Sequence, residues 1–496
     1  MTRTTDYPEF EEAQAGSLAP MPAEPPVTLD RHRHEEWTLT PPSRNKVLRL
    51  AAPAIVEQLL NAVIGLTDVV IAGHLPGNAN VVSAATAAVG MMTYLQWFVA
   101  LISGAVGGGA TAIVARAIGA RRPRMANRTA GTAVTASLAA GIASSAIMFV
   151  FAPQVIAMCR LSDLSATFAT QFLHIMVITI SLQVAGQIGM ACVRGAGDTI
   201  RPMLTMLLLT VFNCVTSATF AYGWFGMPAW GLAGDAFGTM LAYLVGGILA
   251  AAMLLSPGGR IRLAWRHMRI VPHVLWRILK IGIPSGMEQM LLWIGQIIIV
   301  IFVINSRDDL NGHIMAGHIA VLRLESLSFL PGLGFAIAAS ALVGQYLGAS
   351  KPEEARNAAY IANRLAVYTM TVLALPMVFF PGLMLGLIVK SPPVIHVGWW
   401  PMVLAGLAQP GFAVAIVLAG ALRGAGETIP PMMSTVTGML FVRILVVVVC
   451  LAWMKHAGIT GGNLLAVWIA IFVDLNYRGV YNYLAFERGD WQKRKI

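Results

Sequence analysis

The sequence predicts an all-α integral membrane protein: twelve transmembrane helices in two six-helix lobes related by a pseudo-two-fold axis along the membrane normal. Three observations carry this. Apolar residues make up 57% of the 496 and charged ones 11%, where a soluble chain carries about 25% charged. From Val47 onward, apolar stretches of spanning length recur twelve times. Motifs of the first half also return in the second at a nearly constant offset.

Residues 1–45 differ from the rest. Their acids and the prolines Pro20, Pro22, Pro25, Pro26, Pro41 and Pro42 predict a disordered cytoplasmic tail. The tail lacks an apolar segment with a small-residue cleavage site, so it does not read as a signal peptide. His32 and His34 read as incidental, not as a metal site. Spans follow near 47–71, 82–110, 127–151, 166–191, 201–222, 232–255, 274–304, 314–341, 358–379, 395–421, 432–453 and 460–485. Each supplies the ~20 helical residues that cross a ~30 Å hydrocarbon core. The domains expected are an N-lobe over 46–256, a basic cytoplasmic linker over 257–280, a C-lobe over 281–487 and a basic tail over 488–496. Cys159, Cys192, Cys214 and Cys450 are scattered among apolar stretches, which argues against a disulfide framework or a zinc site.

With the amino terminus placed in the cytoplasm, 28 of the 34 Lys and Arg fall in inside connections or termini and four fall outside. Arg323 and Arg443 lie within spans. This bias predicts both termini in the cytoplasm of a cell inner membrane. The net charge of +11 then serves anionic lipid at that face; no basic-aromatic interleaving suggests nucleic acid.

The internal repeat is carried by three matches in one order. Val193-Arg194-Gly195-Ala196-Gly197-Asp198-Thr199 returns as Leu422-Arg423-Gly424-Ala425-Gly426-Glu427-Thr428, and Ala112–Ala120 returns as Ala341–Ala349, both offset by 229. Pro53-Ala54-Ile55-Val56-Glu57 returns as Pro284-Ser285-Gly286-Met287-Glu288, offset by 231. Six spans per copy make the copies parallel, with a cleft between two like bundles suited to alternating access. The repeated Arg-Gly-Ala-Gly loop reads first as a structural corner. Its carboxylate is free to cap the following helix or to pair with the arginine.

These features resemble the multidrug and toxic compound extrusion (MATE) family of secondary transporters. The resemblance rests on Gly65-Leu66-Thr67-Asp68-Val69-Val70-Ile71-Ala72-Gly73-His74, the twin loops, Ala316-Gly317-His318-Ile319-Ala320 with Arg323, Glu325 and Ser326, and Ala339–Ala349. It covers about residues 47–490. It implies two six-helix lobes and export of organic cations or other amphipathic compounds, coupled to inward proton or sodium movement.

Ionisable groups inside a span are costly, so each calls for a reason. In the first span Glu57, Asn61, Gly65 and Asp68 form one polar stripe: Glu57 and Asp68 differ by about 20° in direction over about 16 Å of rise. Such a stripe must face protein or water. Asp68 leads as the group that trades a proton or cation, while Glu57, one turn inside the boundary, is equally an interfacial acid. The resemblance marks Asn213, but four residues later, where some members carry an acid, stands Ser217; Asp235 either replaces that acid or caps its helix. In the C-lobe the polar candidates are Glu288, His318, Glu325 and Arg443, with a structural bridge from Arg443 to Glu288 or Glu325 expected. The sodium-coupled branch implies acids in the seventh and tenth spans, and the tenth has only Gln409. Gln96, Trp97, Trp293 and Gln409 are candidate cleft residues, the tryptophans through cation–π contacts.

No zinc-protease, serine-hydrolase, Walker or metal-cluster motif is found, so neither an enzyme nor an ATP-driven pump is expected, and no cofactor or ATPase subunit is implied. The reading is a cation-coupled antiporter acting as a monomer, proton before sodium, for amphipathic or cationic small molecules. A flippase for a lipid-linked saccharide is the alternative. Its cavity would hold several arginines for pyrophosphate; two span arginines against about six acids favour a cationic ligand.

Overall fold

Why the chain folds as spans follows from the solvent. Hydrocarbon offers no partner to a peptide group, so every spanning segment closes its hydrogen bonds within a helix. The computed structural model describes residues 40–158, 162–256, 258–264, 267–304, 313–457 and 462–494. Residues 1–39, with His32 and His34, and Cys159 lie outside the described residues.

The N-lobe comprises α1 (Arg44–Gly73), α2 (Ala79–Gly119), α3 (Pro123–Met158), α4 (Asp163–Val177), α5 (Ile180–Gly195), α6 (Ile200–Tyr222) and α7 (Leu232–Leu255). The C-lobe comprises α8 (Pro272–Ile304), α9 (His313–Gly348), α10 (Pro352–Phe379), the short α11 (Pro381–Gly386), α12 (Pro392–Gly424), α13 (Ile429–Thr435), α14 (Arg443–His456) and α15 (Asn463–Glu487), followed by α16 (Asp490–Lys493). A π-helical segment, Val436–Val442, joins α13 to α14. Among the described residues, eleven helical stretches are long and apolar enough to span, and α4 with α5 makes a twelfth.

The first helix opens at Arg44, two residues before the expected boundary, because Ser43 accepts the Lys46 amide at 3.2 Å. The linker is shorter than expected, since α8 starts at Pro272. Its preceding segment lies along the N-lobe: Leu263 N donates to Leu254 O and Arg262 N to Asn127 Oδ1. The expected continuous fourth span is bent by 55° between Val177 and Ile180. No proline lies there. Instead the Thr179 hydroxyl donates to Met176 O, and Ser145 of α3 donates to Val177 O. Side-chain donors thus replace helix donors and let the span bend.

The twin loops are superposable in kind. Gly197 and Gly426 take left-handed φ of 85° and 80°, and each preceding helix closes by the same bonds, Asp198 N to Val193 O and Glu427 N to Leu422 O. A left-handed residue after a helix is the position glycine fills without strain. The acids then diverge: Asp198 caps α6 by accepting Arg201 N, whereas Glu427 pairs with Arg494 at 2.7 Å.

Across the lobes, α2 packs on α8 and α1 on α9. The described polar contacts between lobes gather at the end carrying the twin loops. Gln345 Nε2 donates to Gly195 O at 3.0 Å, Lys46 Nζ to the Tyr346 hydroxyl at 3.0 Å, and Arg116 Nη2 to Ala425 O at 3.1 Å. Arg116 also donates to Arg494 O, so the carboxyl-terminal segment touches both lobes. That segment is anchored by Trp491, buried and stacked on Phe486 at 4.6 Å.

The closest approach is backbone on backbone: a methyl at Gly282 would overlap the Ala105 carbonyl oxygen. Gly282→Val is therefore expected to unseat α8 from α2, at a cost of roughly 1–3 kcal/mol for overpacking. A thermal unfolding midpoint equal to wild type in detergent would show the contact to be loose.

Candidate functional site: an oxygen cluster and an inter-lobe cavity

Two polar regions emerge in the N-lobe, and the stripe on α1 divides between them. The first is a closed cluster where α1, α6 and α7 meet. Thr239 of α7 donates to Asp68 Oδ1 at 3.1 Å, and Asn213 of α6 donates to Thr239 Oγ1 at 2.9 Å and to Ser217 Oγ at 3.3 Å. Ser217 donates to the Asp235 carbonyl at 3.3 Å. Asp235, Asn213 and Ser217 are wholly buried, while Asp68 is half-buried. Both Asp235 carboxylate oxygens and Asn213 Oδ1 are buried without a hydrogen-bond partner.

The helix-cap reading of Asp235 is thus set aside: its carboxylate accepts no amide, and it lies close enough to Asp68 for the two charges to interact. A buried unpaired oxygen costs on the order of 1–3 kcal/mol, so three together mark a place built for something besides packing. The unpartnered atoms are all oxygens, which suits a proton or a hard cation. Sequence reasoning missed Thr239, although its place one turn after Asp235 on the same helix face was the available signal.

The second region is a cavity of about 450 Å³ lined by both lobes. Glu57 and Asn61 face it and do not join Asp68. Glu57 pairs with Arg194 of the first twin loop, and in the C-lobe Glu288 pairs with Arg423 of the second, Nη1 reaching both carboxylate oxygens at 2.9 and 3.1 Å. The two pairs are repeat equivalents. Each joins the Pro-x-x-x-Glu of its lobe's first helix to the Arg-Gly-Ala-Gly that ends its fourth span. That both motifs recur together was the signal in the sequence; the loop arginine, expected as one partner of its own loop's carboxylate, instead reaches the glutamate of the first helix.

The expected bridge from Arg443 to Glu288 or Glu325 is corrected. Arg443 donates to Asp474 of α15 at 2.5 Å, both side chains being buried. The reason is local: Arg443 follows the π-helical segment, whose wider turn shifts the face that an uninterrupted α count assigns. His318 is buried beside Trp468, ring centroids 5.9 Å apart, with neither ring nitrogen partnered. Glu325 is also buried, and Arg443 is near enough for its charge to reach both. Arg323 lies on the exposed face of α9.

The proposed cleft residues fare differently. Gln409 is wholly buried, bonded to Ala405 O, and Trp293 is half-buried; neither lines the cavity. The side chains of Gln96 and Trp97 lie outside the described residues. Among the described residues no group of three or more His, Cys, Asp or Glu could hold a metal ion.

Two parallel six-span lobes around a shared cavity define a multi-pass membrane transporter. The MatE family model matches the chain twice, over residues 53–219 and 284–449, and the chain belongs to that family, whose members are transporters and not enzymes. The double match is the duplication read from the sequence. A probable multidrug resistance protein NorM of Thermotoga maritima is 26% identical over 92% of this chain and 95% of its own length. The uncharacterized transporter YisQ of Bacillus subtilis is 24% identical over 89% and 94%. A solved outward-facing multidrug resistance MATE family transporter superposes with a TM-score of 0.81 at 19% identity, covering 91% of this chain and 97% of that one. A Pyrococcus furiosus transporter of the MOP superfamily gives 0.79 at 21% identity over the same shares.

Removing one partner of a buried ion pair leaves the other charge uncompensated, at roughly 3–5 kcal/mol. Asp474→Asn is expected to lower the unfolding midpoint strongly. Glu487→Gln, which breaks the exposed Arg356–Glu487 pair, is expected to leave it unchanged. Equal midpoints for the two variants would contradict the assignment.

Proposed function

We propose that the protein is an ion-coupled antiporter that exports amphipathic small molecules, with Asp68 and Asp235 as the coupling pair and a proton as the coupling ion. The observation that carries this is the Asp235 carboxylate, buried without a partner beside Asp68. Two carboxylates in a low-dielectric site cannot both stay ionised without a cation or proton between them. A proton taken up from outside would neutralise the pair. Thr239 and Asn213 hold the cluster together while the charge changes. An oxygen-only site also suits sodium, so the imposed gradient separates the two ions.

The names of the relatives, probable multidrug resistance proteins among them, support small-molecule export. The charge bias supports a plasma-membrane protein with both termini in the cytoplasm. In that orientation the twin-loop end is cytoplasmic. Its sealing contacts then make this an outward-open state, and opening inward requires those contacts to break.

Asp68→Asn is expected to reduce ethidium efflux from cells at least tenfold while membrane abundance stays at the wild-type level. In proteoliposomes a proton gradient is expected to drive ethidium transport and a sodium gradient to leave it at background. Full efflux by the variant would overturn the site, and sodium-driven transport would overturn the ion.

A further inference from the structure

We infer that the floor of the inter-lobe cavity is an anion-binding site, so that the transported class includes amphipathic molecules bearing a carboxylate, held by Arg194 and Arg423. This deepens the export reading and rests on it.

In each ion pair the arginine is the more exposed half. Arg194 and Glu57 are 17% and 7% exposed, and Arg423 and Glu288 are 24% and 5% exposed. In both lobes the carboxylate sits behind and the guanidinium in front. Arg194 and Arg423 both line the cavity; Glu57, already bound to Arg194, is the one carboxylate among its described lining residues.

Each guanidinium is also incompletely used. Arg194 gives one nitrogen, Nη1, to Glu57, and Arg423 gives one, Nη1, to Glu288. A guanidinium carries five N–H donors in a planar fork matched to a carboxylate. Among the described residues Nε and Nη2 of both arginines carry no bond, neither atom is buried, and both residues line the cavity. The glutamates fix the position of the guanidinium groups, and a ligand oxyanion takes the remaining fork.

The rest of the lining supplies the other half of an amphipath's surroundings. Leu182, Met190, Leu209, Leu333 and Ile337 make apolar walls, and the nearby polar groups are neutral, Gln58 and Gln289 among them. Nothing in this lining draws a lone cation to the floor. The count of acids in the spans pointed to cationic cargo because it assigned both arginines to loops.

The test uses one rhodamine ring system in two forms: the methyl ester, a cation, and the free acid, a zwitterion. Binding to the full-length protein in nanodiscs is read by fluorescence anisotropy. The free acid is expected to bind about tenfold more tightly, the worth of about 1.4 kcal/mol. In Arg423→Gln the ratio is expected to fall toward one. Because that change leaves Glu288 unpaired and risks the fold, Arg423→Lys is measured beside it. It keeps the positive charge but loses the fork, and a ratio reduced several-fold is expected. The surface variant Arg356→Gln should keep the wild-type ratio.

Equal binding of the two forms by wild type, or tighter binding of the ester, overturns the anion site. So does a ratio that Arg423→Lys leaves untouched. Proton-driven transport of the same probes in proteoliposomes reads the export function separately. Transport of the ester with no preference for the acid would sink this inference alone, whereas no transport of either would sink the reading beneath it.

Discussion

In hydrocarbon, a carboxylate without a partner is the least tolerated group in the chain, and the arrangement of this molecule follows from where its carboxylates find theirs. Glu57 and Glu288 each find an arginine from the same lobe. Asp474 finds Arg443. These three pairs tie the first helix of each lobe to its fourth span, and the eleventh span to the twelfth. Asp235 is the exception, buried with both oxygens unpartnered. Glu325 is also buried and has no ion pair among the described residues; what sets Asp235 apart is that neither carboxylate oxygen is bonded while a second acid, Asp68, is near enough for the two charges to interact.

Duplication explains both the likeness and the difference of the lobes. The glutamate–arginine pair survives in both copies because it closes the same helix corner twice. The ends of the corners have separated, Asp198 capping α6 and Glu427 holding Arg494. The oxygen cluster has no copy: at the offset of 231 that relates the first helices of the lobes, the residue matching Asp68 is Ile299. The halves therefore share a scaffold and divide the chemistry, the N-lobe holding a closed oxygen site and both lobes contributing to the cavity.

The spans and the repeat were legible in the sequence, because length, apolarity and recurrence are properties of a single helix or of two matched strings. Asp68 and Asp235 could be nominated as acids at odds with an apolar neighbourhood, and Asn213 through the family resemblance. Their assembly with Thr239, and the pairing of Arg194, Arg423 and Arg443, could not. A helix face names the direction of a side chain and not the helix that meets it. The π-helical turn before Arg443 and the bend between α4 and α5 shift that direction by amounts no residue count contains.

The carboxyl-terminal residues carry a consequence of their own. Arg494 offers its backbone oxygen to Arg116 in one lobe and its guanidinium to Glu427 in the other. The segment is thus a clasp laid over the seam, and anything attached beyond it leaves the molecule where the two lobes meet. A fused reporter there would sit on the contacts that join the lobes, and would burden them.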